Sequence, residues 1–408
     1  MHVRRRALLG GGLAVLGGAG ALAAAQERWS PWRSGLLDIH HISTGRGNAT
    51  FVVTPGGATL LIDAGELDPA NFARFAPLEL GPERPWAGAG AGRTIARYIA
   101  RHAPAGAPLR LDLAVLTHYH DDHIGAPHTG APRAGDGDYL LSGVSAVAAA
   151  LPIRRLLDRG DEGGVAAAGD DATYNNYLAF TRAAARGGVE RETLQAGQQL
   201  ALEVGPDAAT FSARVVKSGR WVWTGRGDNA EPLFSVEDLR RAGRSAENAL
   251  STALVLRYGR FSYFSGGDNS GLGSPEREPW QDVETPLASI IGPVEAMALD
   301  HHGNRDANNG ALLDALRPRL AIQQCWTSDQ PGQEVVQRLA RLKPAPLVLA
   351  TQIFPSTLAA IGPPMRKLLI PQAGHIVIRV RPDGVYTVAV LGACAERGEI
   401  LWRTERSV

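Results

Sequence analysis

A mixed α/β fold is what this 408-residue sequence predicts. Three observations carry the prediction. β-rich runs joined by short Gly- and Pro-containing turns recur along most of the chain, segments of helical periodicity lie between them, and several runs end directly in histidines or carboxylates. Composition agrees, because 44% hydrophobic and 20% charged residues at this length describe a soluble globular protein with a well-buried core. Disorder, collagen-like repeats and coiled coil are excluded. A formal charge of +1 gives no electrostatic reason to expect a nucleic-acid or membrane-surface binder, so nucleic acid is possible as a partner but unsupported by charge.

The elements follow in order. In residues 1–25, Arg4-Arg5-Arg6 precede an apolar run from Ala7 to Leu22 and then Ala23-Ala24-Ala25, the pattern of an export signal. Glycines interrupt the run and no stop-transfer charges follow it, so cleavage after Ala25 is expected, leaving no stable membrane span. Arg5-Arg6-Ala7-Leu8-Leu9 resembles the twin-arginine signal, which implies a periplasmic or secreted protein exported already folded, with any metal fitted beforehand. Residues 26–408 show no linker or internal repeat and read as one domain. A strand begins near Leu36, and Ala49–Thr54 and Ala58–Asp63 form a hairpin around Pro55-Gly56-Gly57. Gly81–Gly92 reads as a surface loop, Thr94–His102 as a short amphipathic helix, and Leu111–Thr117 as a buried strand feeding a histidine cluster.

Tyr139–Leu157 and Tyr174–Arg186 read as helical or mixed, and Gln195–Val204 and Phe211–Val216 as strands. Residues 217–247 look like a polar insertion with Trp221, Trp223 and a short helix at Val236–Ala242, either overhanging a cleft and choosing the substrate or forming a loose surface loop. Strands are expected at Leu250–Tyr258, Phe261–Ser265, Ala296–Leu299 and Leu320–Gln323, helices at Ala311–Leu316 and Gln333–Leu342. A hairpin of Ile376–Arg381 and Val385–Leu391 closes the chain. Cys325 and Cys394, the two cysteines, suit equally one disulfide or two buried thiols.

The strongest chemical signal is Thr117-His118-Tyr119-His120-Asp121-Asp122-His123, with three imidazoles and two carboxylates on a turn after a strand. Imidazole nitrogen and carboxylate oxygen suit zinc, and also manganese or iron. With eleven histidines in the whole chain, this clustering is not a chance polar loop. Gly266-Gly267-Asp268 and Asp300-His301-His302-Gly303 each follow a strand and offer a further carboxylate and imidazoles.

Together with Ile62-Asp63-Ala64-Gly65, Glu247-Asn248-Ala249-Leu250-Ser251 and Gly374-His375-Ile376, these segments resemble the metallo-β-lactamase superfamily, and within it the exported hydrolase domain of the ComEC competence protein family. The resemblance implies a four-layer αββα sandwich with two divalent metal ions, zinc before manganese or iron, at one edge of the sheets. It implies that His118 and His120 hold one ion, Asp122 and His123 a second, that Asp268 bridges, and that His301 completes the second site. Asp63 would support the histidines from behind. His302 is left open between metal ligand, proton donor, substrate clamp and a hydrogen bond to backbone, and Asp122 and His302 are the residues expected to carry catalysis.

Departures from the family pattern are plain. No histidine lies between Thr129 and Ser265, so the first site needs water, Asn248 or Ser251 to complete it, with His128 too near the first cluster to substitute. Asn48 stands where an acidic residue is usual, and Asn304 where Ser is. His40 and His41 read as cleft residues or as strand-end packing. The expected activity is hydrolysis of a phosphodiester or related phosphoester, small-molecule or otherwise, by metal-bound hydroxide. The alternatives are hydrolysis at carbon (ester, lactone, thioester or β-lactam) and a non-catalytic, metal-stabilised binding module.

Overall fold

The computed structural model describes residues 27–135, 137–161, 171–202, 210–271, 278–394 and 398–408. The expected export signal at 1–25 lies outside the described residues. Among those described, eighteen strands form two nine-stranded sheets. The first six are β1 (Leu37–His41), β2 (Thr50–Val53), β3 (Thr59–Ile62), β4 (Leu111–Leu116), β5 (Ile153–Asp158) and β6 (Glu190–Thr193). The second sheet takes β7 (Phe211–Ser218), β8 (Trp221–Trp223), β9 (Ala230–Pro232), β10 (Ala253–Tyr258), β11 (Phe261–Ser265), β12 (Ala296–Ala298), β13 (Leu320–Gln323), β14 (Leu347–Ala350) and β15 (Leu369–Ala373). The chain then returns to the first sheet as β16 (His375–Val380), β17 (Val385–Leu391) and β18 (Ile400–Ser407). Strand orders are β18-β17-β16-β1-β2-β3-β4-β5-β6 and β15-β14-β13-β12-β11-β10-β7-β8-β9.

Side-chain alternation explains the layering. On β4, Leu113 and Val115 face the opposite sheet, while Ala114 and Leu116 pack outward against helices. The core between the sheets joins Ile39, Leu60 and Ile62 to Val215, Leu254 and Tyr263. The outer face of the first sheet is covered by the helices Ala91–His102, Val144–Ala150 and Ala172–Arg186. The outer face of the second is covered by Glu284–Ile291, Gly310–Leu316, Gln333–Arg341 and Pro355–Arg366. This is the αββα sandwich that the family resemblance implies.

Several elements differ from expectation for local reasons. The helix expected at Thr94 begins at Ala91, because the buried Glu66 carboxylate accepts from Ala91 N and Gly92 N, both at 3.0 Å, and caps it from a distant segment. Residues 139–157 divide into the helix Val144–Ala150 and β5. The strand expected at Gln195–Val204 is only an isolated bridge, Gln199 to Arg214, and residues 203–204 lie outside the described set. Residues 217–247 are neither lid nor loose loop: they form β8 and β9 at the edge of the second sheet, then the helix Val236–Ala242 with a Ser235/Asp238 capping box. The cysteines are free thiols, Cys325 buried and Cys394 exposed, so the chain has neither the disulfide nor the buried pair. No helix among the described residues is long and apolar enough to cross a membrane.

Candidate metal centre

The two sheets place chemistry alike. β3 and β4 run parallel in the first, β11 and β12 in the second, and the loops leaving all four meet. Past β3, Asp63 adopts left-handed backbone (φ 60°), uncommon for a non-glycine residue. Its carboxylate accepts from Thr117 N (2.8 Å) and Thr117 Oγ1 (2.9 Å) and pairs with His123 Nδ1 (2.8 Å). Asp63 thus ties Thr117 to His123, and its contact at Nδ1 leaves His123 Nε2 for another partner. Gly65 is required by packing: a Cβ there would lie 1.8 Å from the Asp122 carbonyl oxygen. That oxygen accepts from Asn48 N (2.8 Å), and His123 O accepts from Ala64 N (2.8 Å), so the 121–124 turn is clamped by backbone.

Past β11, Gly267 (φ 61°) passes Thr117 and Ser251, and Ser251 Oγ accepts from Asp268 N at 3.0 Å. Past β12, His301 and His302 both have left-handed backbone (φ 47° and 56°), strain of a kind that gathers at functional sites. His302 Nε2 lies 2.9 Å from Asp122 Oδ2 and 3.4 Å from Asp268 Oδ2, and its Nδ1 lies 3.1 Å from Asn48 Oδ1 and 3.2 Å from Gln324 O. His301 sits further out, its side chain 18% exposed, with Nδ1 2.8 Å from Asp306 Oδ1 and Nε2 3.3 Å from Asn248 Nδ2.

Two groups of ligand atoms result, each within a 4.8 Å span: His118, His120 and Asp268, and Asp122, His123, Asp268 and His302. Asp268 belongs to both, as a bridging carboxylate must. The group around Asp122 and His123 is completed by His302, not by His301 as expected, because the left-handed turn aims His302 inward and leaves His301 at the rim. The gap left by the missing histidine, beside His118 and His120, is real among the described residues. Ser251 is occupied by Asp268 N, whereas Asn248 Oδ1 is buried without a hydrogen-bond partner. His128 instead faces Glu66 at 3.6 Å, and His40 and His41 pack in β1 against Tyr98 and Thr50.

The electrostatics suit cations. Burial alone would raise the Asp122 and Asp268 carboxyls, but His123 and His302 around both, with His301 also beside Asp268, hold them below the ordinary carboxylate value. Burial pulls His302 down, and Asp268 and Asp122 outweigh it, taking the imidazole up to about 9. His123 is likewise driven well up, chiefly by Asp268 and Asp63 against burial. Nε2 of His123 lies 3.0 Å from Asp268 Oδ1 and Nε2 of His302 2.9 Å from Asp122 Oδ2, so buried nitrogens and carboxylate oxygens face one another across one small space. Converging imidazole nitrogens and ionised carboxylates are a donor set that fits divalent metal.

Support from outside the ligand set was not legible in sequence. Glu247 Oε1 accepts from Tyr119 N (2.8 Å) and its carboxylate pairs with the fully buried Arg159 (2.8 Å), bracing the histidine turn. Asp306, which orients His301, had no motif to announce it beyond its closeness to the His-His pair.

Residues 42–129 match the family model of the metallo-beta-lactamase superfamily. No curated protein matches the chain in sequence. Solved structures similar to it include a mutant of the CmlA beta-hydroxylase, 13% identical, covering 79% of this chain and 53% of that one, TM-score 0.39. The chain therefore spans about half the length of that protein. Zn(2+)-bound PqqB from Methylobacterium extorquens is 13% identical, covering 67% and 75%, TM-score 0.33. Human tRNase Z, short form, is 12% identical, covering 70% and 91%, TM-score 0.29.

Proposed function

We propose that the protein is an exported, metal-dependent hydrolase of phosphodiesters or related phosphoesters. The observation that carries this reading is the pair of ligand groups sharing Asp268. His118 and His120 would hold one ion, and Asp122, His123 and His302 the other. Ions held there would acidify a water and place positive charge against the oxygens of a phosphoryl group. The chain's own residues do the rest. Asp63 and Asn48 fix His123 and His302 through Nδ1, so that both present Nε2. His301, oriented by Asp306, stands at the rim in the place of a group that meets the leaving oxygen, the role the sequence reading gave to His302. In the hydrolysis one phosphorus–oxygen bond forms to water, the bond to the alcohol breaks, and the water proton leaves with the alcohol.

The order of motifs resembling the ComEC domain favours phosphorus over carbon as the centre attacked, and the twin-arginine-like start favours export. Elemental analysis of the purified mature protein, beside a panel of phosphodiesters and carbonyl esters, tests the reading. About two ions per chain and turnover of phosphodiesters that collapses in His120→Ala and Asp122→Ala are expected. Turnover of carbonyl esters alone would move the chemistry to carbon, and metal binding with no turnover on either panel would leave a binding module.

A further inference from the structure

The cleft over the ligand cluster, about 290 Å³, is walled by two segments that no motif announces, 67–78 and 326–330. They come from opposite halves of the chain and are tied by backbone. Leu80 and Thr327 form an antiparallel bridge, Gly81 N donates to Trp326 O (2.7 Å), and Ser328 N donates to Glu79 O (3.0 Å). Within the turn, Gln330 Oε1 accepts from Trp326 N at 2.9 Å. This is a bonded wall rather than a loose flap.

Its surface is a row of rings. Trp326 meets His302 edge-on (centroids 5.4 Å), Phe72 meets Trp326 edge-on (5.9 Å), and Phe75 lies 5.7 Å from Phe72. The row starts on a candidate metal ligand and ends at Phe75, which is 48% exposed at the mouth with the Arg74 guanidinium 4.8 Å over its ring. Trp326 Nε1 and Thr327 Oγ1 are buried in this wall without hydrogen-bond partners. Apart from the histidines, Arg74 is the one cation among the described residues lining the cleft, where Asp68, Asp121 and Asp329 also stand. An exposed ring continuous with buried ones asks for a flat partner, and carboxylates at the mouth repel additional phosphates. The volume suits one ring system rather than a polymer strand.

We propose that this wall binds one flat aromatic group of the substrate, so that the enzyme takes compact aryl or heteroaryl phosphoesters charged at a single phosphorus. The inference rests on the hydrolase reading above for its reacting group. It is tested by titration calorimetry of phenylphosphonate, methylphosphonate and benzene-1,4-diphosphonate into the metal-loaded mature protein and its Phe75→Ala and Phe75→Trp variants. Phenylphosphonate should bind about tenfold more tightly than methylphosphonate. The second phosphonate should weaken binding, Phe75→Ala should bring the phenyl-to-methyl ratio to within about threefold, and Phe75→Trp should preserve it. Equal affinities in the wild type, or a ratio untouched by Phe75→Ala, would overturn the proposal. Ring preference without turnover of any phosphoester would sink the hydrolase reading and leave the aromatic site standing, whereas turnover without ring preference would do the reverse.

Discussion

His301 and His302 carry the same side chain and differ only in where a left-handed backbone points them. His302 turns to Asp122 and Asp268 with its side chain 1% exposed, while His301 turns to Asp306 at the rim. Metal titration of the two glutamine variants separates their roles. His302→Gln should lose one ion per chain, and His301→Gln should retain both while losing turnover. Asp63→Asn leaves every ligand in place but removes the acceptor that fixes His123, so metal affinity should fall about 10–100-fold. If His301→Gln sheds the ion and His302→Gln keeps it, the inward and outward roles are reversed. His118, His120, Asp122 and His123 were legible because they sit in one contiguous motif whose spacing is itself the chemistry, while Asp63 was found through the family resemblance. The choice between His301 and His302 was not, since it depends on backbone angles that the pair does not announce.

The turn carrying His118 to His123 is short, and what holds it comes from elsewhere. Arg159, just past β5, lies fully buried, its guanidinium 4.2 Å over the Tyr119 ring and paired with Glu247, which in turn accepts from Tyr119 N. Burial would raise the Glu247 carboxyl, and the Arg159 charge outweighs it and keeps it low. Removing one member of such a pair leaves a buried charge alone, so Arg159→Met should cost about 3–5 kcal/mol of stability in urea unfolding. Adding Glu247→Leu should recover part of that loss, because the two changes share one interaction. A cost below about 1 kcal/mol for Arg159→Met would mean that the pair is solvated and braces nothing. Secondary structure was readable where periodicity ran long, as in β4 or the helix Ala172–Arg186. It was lost where an element is short or proline-broken, as in β6 and the helix Pro355–Arg366 with its kink at Gly362.

Across the molecule, β1, β16 and the helix Ala91–His102 are sealed together by buried imidazoles. His40 Nδ1 lies 3.0 Å from Tyr98 Oη, Tyr98 stacks near His102 and His375, and Ser43 N donates to His375 Nδ1 at 3.0 Å. Burial first, and then the neighbouring His40, lower His41 to about 3, His102 to about 2 and His375 to about 3. The unfolded chain takes up these protons near pH 6.5 and the folded chain does not. Stability is therefore complete above about pH 6.5 and falls as pH drops toward 3, by up to about 1.4 kcal/mol per pH unit for each histidine. Chemical denaturation between pH 7.5 and 4.5 should show this slope, made shallower by His102→Phe. An identical slope in that variant would assign the effect to the metal cluster instead.

The first ligand cluster and the mixed α/β pattern could be read from the chain, because each rests on spacing over a few residues, whereas the family resemblance supplied the supporting Asp63, the bridging Asp268 and the layering. Folding decided the rest. It brought His302 rather than His301 to Asp122 and Asp268, made residues 217–247 a sheet edge, and joined 67–78 to 326–330 as the wall of the cleft. The first and the last of these depend on contacts between distant segments, such as Asn48 with His302, 254 positions apart. Local spacing carries no record of such a contact, which exists only once both sheets have closed on one core.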